Sequence, residues 1–218
     1  YLKMRFLDVA LSSFVFVMDE AVRPVGTDGF CLYYHPQYLG GLYREDRVLV
    51  NRAYLHIVLH CVFRHLIRRR GREKNRWNLA CDIVIESIID SMQHRPVLRS
   101  RFWLRRNTYE KLKKQMKVLT AEKVYGALEA WKLSEQEFAR LAEEFYVDDH
   151  LYWPEDEDKK KQSEIENRWK NQSEQMETDM ETFSKEASQT SGNLIDQVKV
   201  ENRERMDYRE FLRKFSVL

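Results

Sequence analysis

YLHIVLHCVFRHLIRRRGREKNRWNLACDIVIE, Tyr54 to Glu86, is the stretch on which the fold turns. His56 and His60 stand four residues apart in an almost wholly apolar run, and Asp82 and Glu86 repeat that spacing in the next apolar run. At about 100° per residue, positions i and i+4 lie only about 40° apart around a helix, so each pair leaves its helix on one face. Two such helices packed antiparallel across the short basic loop would bring two imidazoles and two carboxylates together. That donor set suits a borderline-soft divalent metal, zinc first. Histidines on an apolar helix are commonly core residues bonded to carbonyls or carboxylates. What favours a metal here is that Asp82 and Glu86 are embedded in LACDIVIESII, where an unpaired carboxylate would be costly. His65, nine residues after His56, falls about 180° around a continuing helix and is not expected to serve the same ion.

The usual peptidase version of this pattern is H-E-x-x-H, in which the two histidines hold zinc and the glutamate deprotonates the attacking water. Ile57 occupies the glutamate's position in this chain. A branched aliphatic side chain can neither take a proton nor polarise water. The ligands are present without the expected general base, and Glu86, one turn beyond Asp82, is the carboxylate that would have to replace it.

Composition narrows the remaining classes. The chain has 218 residues, enough for a substantial core, with 37 Lys and Arg against 35 Asp and Glu and a formal net charge of +2. That balance points to neither a dedicated nucleic-acid binder nor an acidic partner protein. Cys31, Cys61 and Cys81 form no even disulfide framework, which suits a reducing cytoplasm. The longest apolar run, Val48 to Phe63, is interrupted by Asn51, Arg52 and both histidines, so no membrane span is expected. The opening on Tyr1 reads as part of a longer protein.

Along the chain, Leu2 to Leu11 has helical spacing, while Ser13 to Met18 and Phe30 to Tyr34 read as strands. The Arg23–Gly29 connection, rich in Pro, Gly and Asp-Gly, predicts that these two strands form a small antiparallel sheet. His35-Pro36 is expected to end the second strand, with His35 held extended and able to face a cleft. The central helix is predicted over about Arg47 to Arg69 with Gly71 as its C-cap, and the next over about Trp77 to Met92. Arg68, Arg69, Arg70 and Arg72 fit a solvated helix end, and the basic aromatic run Arg99 to Arg106 fits an amphipathic segment. Thr120 and Ser134-x-x-Glu137 mark two helix starts, the first running through Ala130 and the second through about Tyr146. Asp148-Asp149-His150 before Trp153 is a loop that could line a site. Lys159 to about Ser188 predicts a long charged helix with a thin apolar stripe of Ile165, Trp169, Met176, Met180 and Phe183, and Tyr208 to Phe215 a last docking helix.

Taken together, Tyr54-Leu-His56-x-x-x-His60-x-x-x-x-His65 and Trp77-Asn78-x-Ala80-x-Asp82 resemble the bacterial metallopeptidase-type domain that stands ahead of a von Willebrand A-like domain. Thr27-Asp28-Gly29, Leu32-Tyr33-Tyr34, Asp149-His150-x-x-Trp153 and the closing Tyr208–Phe215 segment extend the likeness over nearly the whole chain. The resemblance implies a zincin-like fold and His56, His60 and Asp82 as metal ligands, with zinc as cofactor. It further implies a downstream von Willebrand A-like domain and a MoxR-type AAA+ ATPase as partners. Ile57 departs from the family pattern at its presumed base.

The expectation is therefore a mostly helical α+β protein. Residues 1–154 would form a zincin-like core with a small N-terminal sheet, and residues 155–218 a helical extension packed on it. Its function would be that of a degenerate, cytoplasmic metallopeptidase-like interaction domain. The alternatives are an active zinc peptidase using Glu86 as a displaced base, and a nucleic-acid module using the arginine-rich stretches. His150, Asp149 and His35 are the candidates for the edge of the site. Nucleic-acid binding would weaken steeply with salt through counterion release. The expected outcome of a filter-binding titration at physiological salt is no appreciable affinity; tight, salt-sensitive binding lost on replacing Arg68, Arg69 and Arg70 would reverse that ranking.

Overall fold

The computed structural model describes residues 8–92, 94–100, 103–182 and 192–203. At its centre are two helices, α3 (Arg47–Val62) and α4 (Lys74–Ser91), because their sequences are apolar on nearly every side. From Leu55 to Phe63 every residue is buried, and in α4 every residue from Leu79 to Asp90 is. Asp46 caps α3 by accepting from the Val48 amide at 2.9 Å, and Glu73 caps α4 by accepting from the amides of Asn75 and Arg76 at 2.8 and 2.7 Å.

Helix α3 stops at Val62, short of the predicted Arg69. Arg64 takes a left-handed conformation (φ 56°), and a single 3₁₀ turn, His65–Ile67, follows. Gly71 (φ 75°) therefore sits inside a loop and does not cap the helix. Trp77 locks the turn by donating Nε1–H to the His65 carbonyl at 3.2 Å. The bend carries His65 off the helix on which its angular position was reckoned.

The small sheet is mixed, correcting the expected antiparallel pair. It has three strands, β1 (Val15–Met18), β2 (Val25–Thr27) and β3 (Cys31–Tyr34), in the order β1-β3-β2. β1 runs parallel to β3, with Val15 opposite Cys31, and β2 runs antiparallel to it, with Thr27 opposite Leu32. The turn-rich connection itself contains β2. Asp28 Oδ1 accepts from the amides of Phe30 and Cys31 at 3.0 and 2.8 Å, and Gly29 supplies φ 92°, so the Asp-Gly turn belongs to the β2–β3 hairpin. β1 is left to join the far side of β3.

His35-Pro36 ends β3 as predicted and at once starts a helix, α2 (Pro36–Glu45), with Pro36 in its first turn and His35 as N-cap. Further on come α5 (Trp103–Lys113), α6 (Ala121–Ala130) with its Thr120 cap, and α7 (Glu135–Phe145) with the full Ser134–Glu137 capping box. α8 (Lys159–Thr182) and α9 (Leu194–Arg203) complete the described residues. The predicted stripe Ile165, Trp169, Met176 and Met180 is buried and joins the same apolar core as α3 and α4. Phe183, the first residues of the predicted N-terminal helix and the Tyr208–Phe215 segment lie outside the described residues. No helix among those described is long and apolar enough to cross a membrane.

Trp169 pins α8 to the sheet. It is fully buried, stacks at 5.4 Å on Phe14 and donates Nε1–H to the Gly29 carbonyl at 2.8 Å. Trp169→Ala is expected to cost about 3–5 kcal/mol from the cavity and the lost contacts, read as a lower denaturation midpoint in urea.

Candidate metal centre

Helix α3 projects His56 and His60 towards α4, which supplies Asp82. The chain after α7 supplies a fourth group, Asp148. Donor atoms of His56, His60, Asp82 and Asp148 all lie within 4.8 Å of one another, and all four residues are buried. The fourth donor arrives because the segment after α7 runs along the open edge of β2: the Asp149 amide donates to the Val25 carbonyl at 2.7 Å, forming a parallel bridge with Gly26. Gly26 is needed for that approach, since a Cβ there would stand 2.7 Å from the Asp149 carbonyl oxygen.

The four histidine–aspartate separations are close to those of a coordination cage, while the two imidazoles stand nearer to each other than two ligands of one ion would. His56 Nε2 lies 3.5 Å from Asp82 Oδ1 and 3.2 Å from Asp148 Oδ1, and His60 Nε2 lies 3.3 and 3.8 Å from the same oxygens. Metal–ligand bonds of about 2.1 Å at a tetrahedral centre place donors about 3.4 Å apart. The two Nε2 atoms face each other at 2.7 Å. Asp82 Oδ1 and Asp148 Oδ1 are buried against imidazole nitrogens at 3.2–3.8 Å, and Asp148 Oδ2 is buried with no hydrogen-bond partner among the described residues. Buried polar atoms are rarely left so, and anionic oxygens converging on two imidazole lone pairs fit a cation.

Each histidine is oriented from behind. His56 Nδ1 donates to Glu86 Oε1 at 2.9 Å, which leaves Nε2 free as a donor atom for metal. His60 Nδ1 lies 3.1 Å from His65 Nδ1; for His60 to offer its Nε2 lone pair, Nδ1 carries the hydrogen and His65 accepts it. His65 is therefore not among the clustered donors but stands directly behind one of them. Glu86 is similarly occupied: its Oε2 receives Arg52 Nη2 at 2.6 Å and is paired with Arg105. Asp90 receives the same Arg52 nitrogen at 2.7 Å and the Tyr109 hydroxyl at 2.9 Å.

Charge follows geometry. Burial alone would raise the carboxylates, yet Asp148 is held well below its ordinary range by His150 and His60, and Glu86 well below its own by Arg52 and His56. His56, although burial opposes its charge, is held well above the usual histidine value by Asp148, Asp82 and Glu86. Burial and its neighbour His56 push His60 down to about 4. His150 is raised to about 10 against the cost of burial by Asp148 and Asp82. In the metal-free cluster, protons on His56 and His150 supply the positive charge that the aspartates require.

Of the sequence-derived candidates, the structure brings His56, His60 and Asp82 together and places Glu86 behind His56. His150 Nε2 approaches Asp82 and Asp148 Oδ1 at 3.2 Å each. Asp149 faces a cavity of about 310 Å³ lined also by Asn78, Asp82, Tyr146, Asp148 and His150. His35 lies apart from the cluster, its Nδ1 accepting from the Gln37 amide at 3.2 Å. Sequence reasoning left out Asp148 as a donor, and Arg52 and Arg105 as partners of Glu86. The Asp-Asp-His run gave a sign of the first; nothing local marked the arginines.

A buried two-histidine, two-aspartate cluster across a helix pair defines a domain able to hold a metal ion. The chain belongs to the family described as "Putative metallopeptidase domain", whose sequence profile matches residues 2–215. No curated protein and no solved structure is significantly similar to it. Because His56 must give up its proton to become a ligand, metal uptake at pH 7 is expected to release about one proton per ion, and affinity to fall as pH is lowered. Calorimetry in buffers of different ionisation enthalpy measures that number.

Proposed function

We propose that this domain holds one divalent metal, zinc by the chemistry of its donors, as a structural brace, and that it acts as a non-hydrolytic interaction domain on a zincin-like scaffold. Asp148 is the observation that carries this reading. Catalytic zinc keeps one position open for water or substrate, whereas structural zinc has four protein ligands. Here His56, His60, Asp82 and Asp148 would fill all four. Bound there, the metal would supply positive charge to two buried carboxylates, and Lewis-acid chemistry only if a protein ligand left.

The missing base supports the same reading. Ile57 is fully buried. Glu86 has its two carboxylate oxygens engaged by His56, Arg52 and Arg105, so it orients His56 and is a poor acceptor for a further proton. The resemblance carried by His56, His60 and the Trp77–Asp82 motif adds the proposed setting: a cytoplasmic protein with a von Willebrand A-like domain downstream and a MoxR-type ATPase as partner.

A hydrolytic reading has one observation in its favour. His150, its Nε2 3.2 Å from the Asp82 and Asp148 carboxylates, borders the cavity that reaches the cluster, where it could exchange a proton with a bound peptide. One set of proteins separates the two. Protein purified without chelator is expected to contain about one metal per chain, and His56→Ala and Asp148→Ala to lose most of it. Wild type, Ile57→Glu, Glu86→Gln and His150→Ala, matched for metal content, are then assayed on an unstructured peptide. No hydrolysis by wild type is expected; robust hydrolysis lost in His150→Ala would establish the second reading.

A further inference from the structure

Arg105 stands on α5, which contributes no donor to the cluster, yet it touches both halves of the cage at second hand. Its Nη1 pairs with Glu86 Oε2 and lies 3.5 Å from Asp90 Oδ2. Its Nε donates to Glu144 Oε1 at 2.9 Å, and its Nη2 donates to the Glu144 carbonyl at 2.8 Å. Glu86 Oε1 in turn orients His56. Glu144 lies in the last turn of α7, separated from Asp148 by Phe145, Tyr146 and Val147, with Phe145 buried 5.1 Å beneath the guanidinium. One planar fork thus spans the helix that aims one donor and the start of the segment that delivers another.

Arg52, the other cation on Glu86, makes no such bridge. Its remaining bonds go to the Val97 carbonyl at 3.0 Å and to Asp90, and among the described residues none reaches α7. A lysine at 105 could not span both sides either, because its three donors radiate from one nitrogen and cannot hold Glu86 and the Glu144 carbonyl at once. Arg105 is 5% exposed, so water cannot readily substitute for a lost contact.

We propose that Arg105 is a positioning residue of the metal centre, setting the separation of His56 and Asp148 by clamping Glu86 and Glu144 in a single fork. This rests on the metal reading above. Partners that orient metal ligands are typically worth about 10–100-fold in affinity. The test uses the chain loaded with cobalt(II) or zinc, comparing wild type, Arg105→Lys, Glu144→Ala and, as control, Arg106→Ala on the exposed side of α5. Affinity is measured by competition with a chelating indicator, the cobalt visible spectrum reports the donor geometry, and thermal melting of the metal-free forms reports the fold.

Arg105→Lys is expected to weaken binding about 10–100-fold and to alter the cobalt bands. Glu144→Ala, which keeps the carbonyl contact, is expected to do so to a smaller degree, and Arg106→Ala to change neither. A merely structural arginine would lower the metal-free melting temperature while leaving affinity and spectrum unchanged, and that result overturns the proposal. Should Arg105→Lys fail to fold, Glu144→Ala decides: wild-type affinity and spectrum in that variant overturn it. Wild-type protein that takes up neither metal would overturn the metal reading itself, and this inference with it.

Discussion

Four carboxylates, those of Asp82, Glu86, Asp90 and Asp148, are buried at or beside the packing of α3 on α4. Their negative charge is the constraint around which the molecule is arranged. An isolated carboxylate in an apolar interior is far too costly to persist, so each must be matched in place. The layer farther from the cluster is matched by guanidinium groups, Arg52 and Arg105 meeting Glu86 and Asp90. Among the described residues, the nearer layer, Asp82 and Asp148, is paired with imidazoles. That asymmetry makes the nearer layer a place for a cation and the farther one a fixed support.

The centre of the fold could be read from the sequence because its signals are local. An i, i+4 pair of histidines, an i, i+4 pair of carboxylates and a short loop between apolar runs specify faces on two helices, and those faces meet. Caps were legible for the same reason: Thr120 and Ser134 act on amides within three residues of themselves. What escaped was set by distance or by a single backbone angle. Strand β2 is hidden in a connection whose Gly and Pro content reads as turn, although Val25–Thr27 within it is extended and paired. The early end of α3 depends on Arg64 adopting φ 56°, which no residue type at that position announces. Asp148 becomes a neighbour of Asp82 because its segment adds to the edge of β2, a pairing between residues far apart in the sequence.

Glu86 shows how one residue changes meaning once its partners are known. On a helix wheel it is a spare carboxylate one turn beyond Asp82, within reach of either a metal or the water on it. In the folded chain its two oxygens are divided between an imidazole and two arginines, and it belongs to the support. Ile57 completes the picture from the other side, filling the place of the missing carboxylate with a fully buried aliphatic group. Membership in a metallopeptidase-type family and a four-donor cluster are compatible on the proposed reading, in which the scaffold keeps its metal ligands without a glutamate at position 57.

The parallel bridge between Gly26 and Asp149 also bears on when the cage can exist. His56, His60 and Asp82 leave the ribosome early and close together, but the fourth donor follows only after α5, α6 and α7 have been made. A chain that ends before Asp148 carries three of the four donors, and the fourth arrives with the segment that pairs with β2. The four donors meet only when distant parts of the chain have found their places, so an ion that required all four would be sensitive to that long-range pairing.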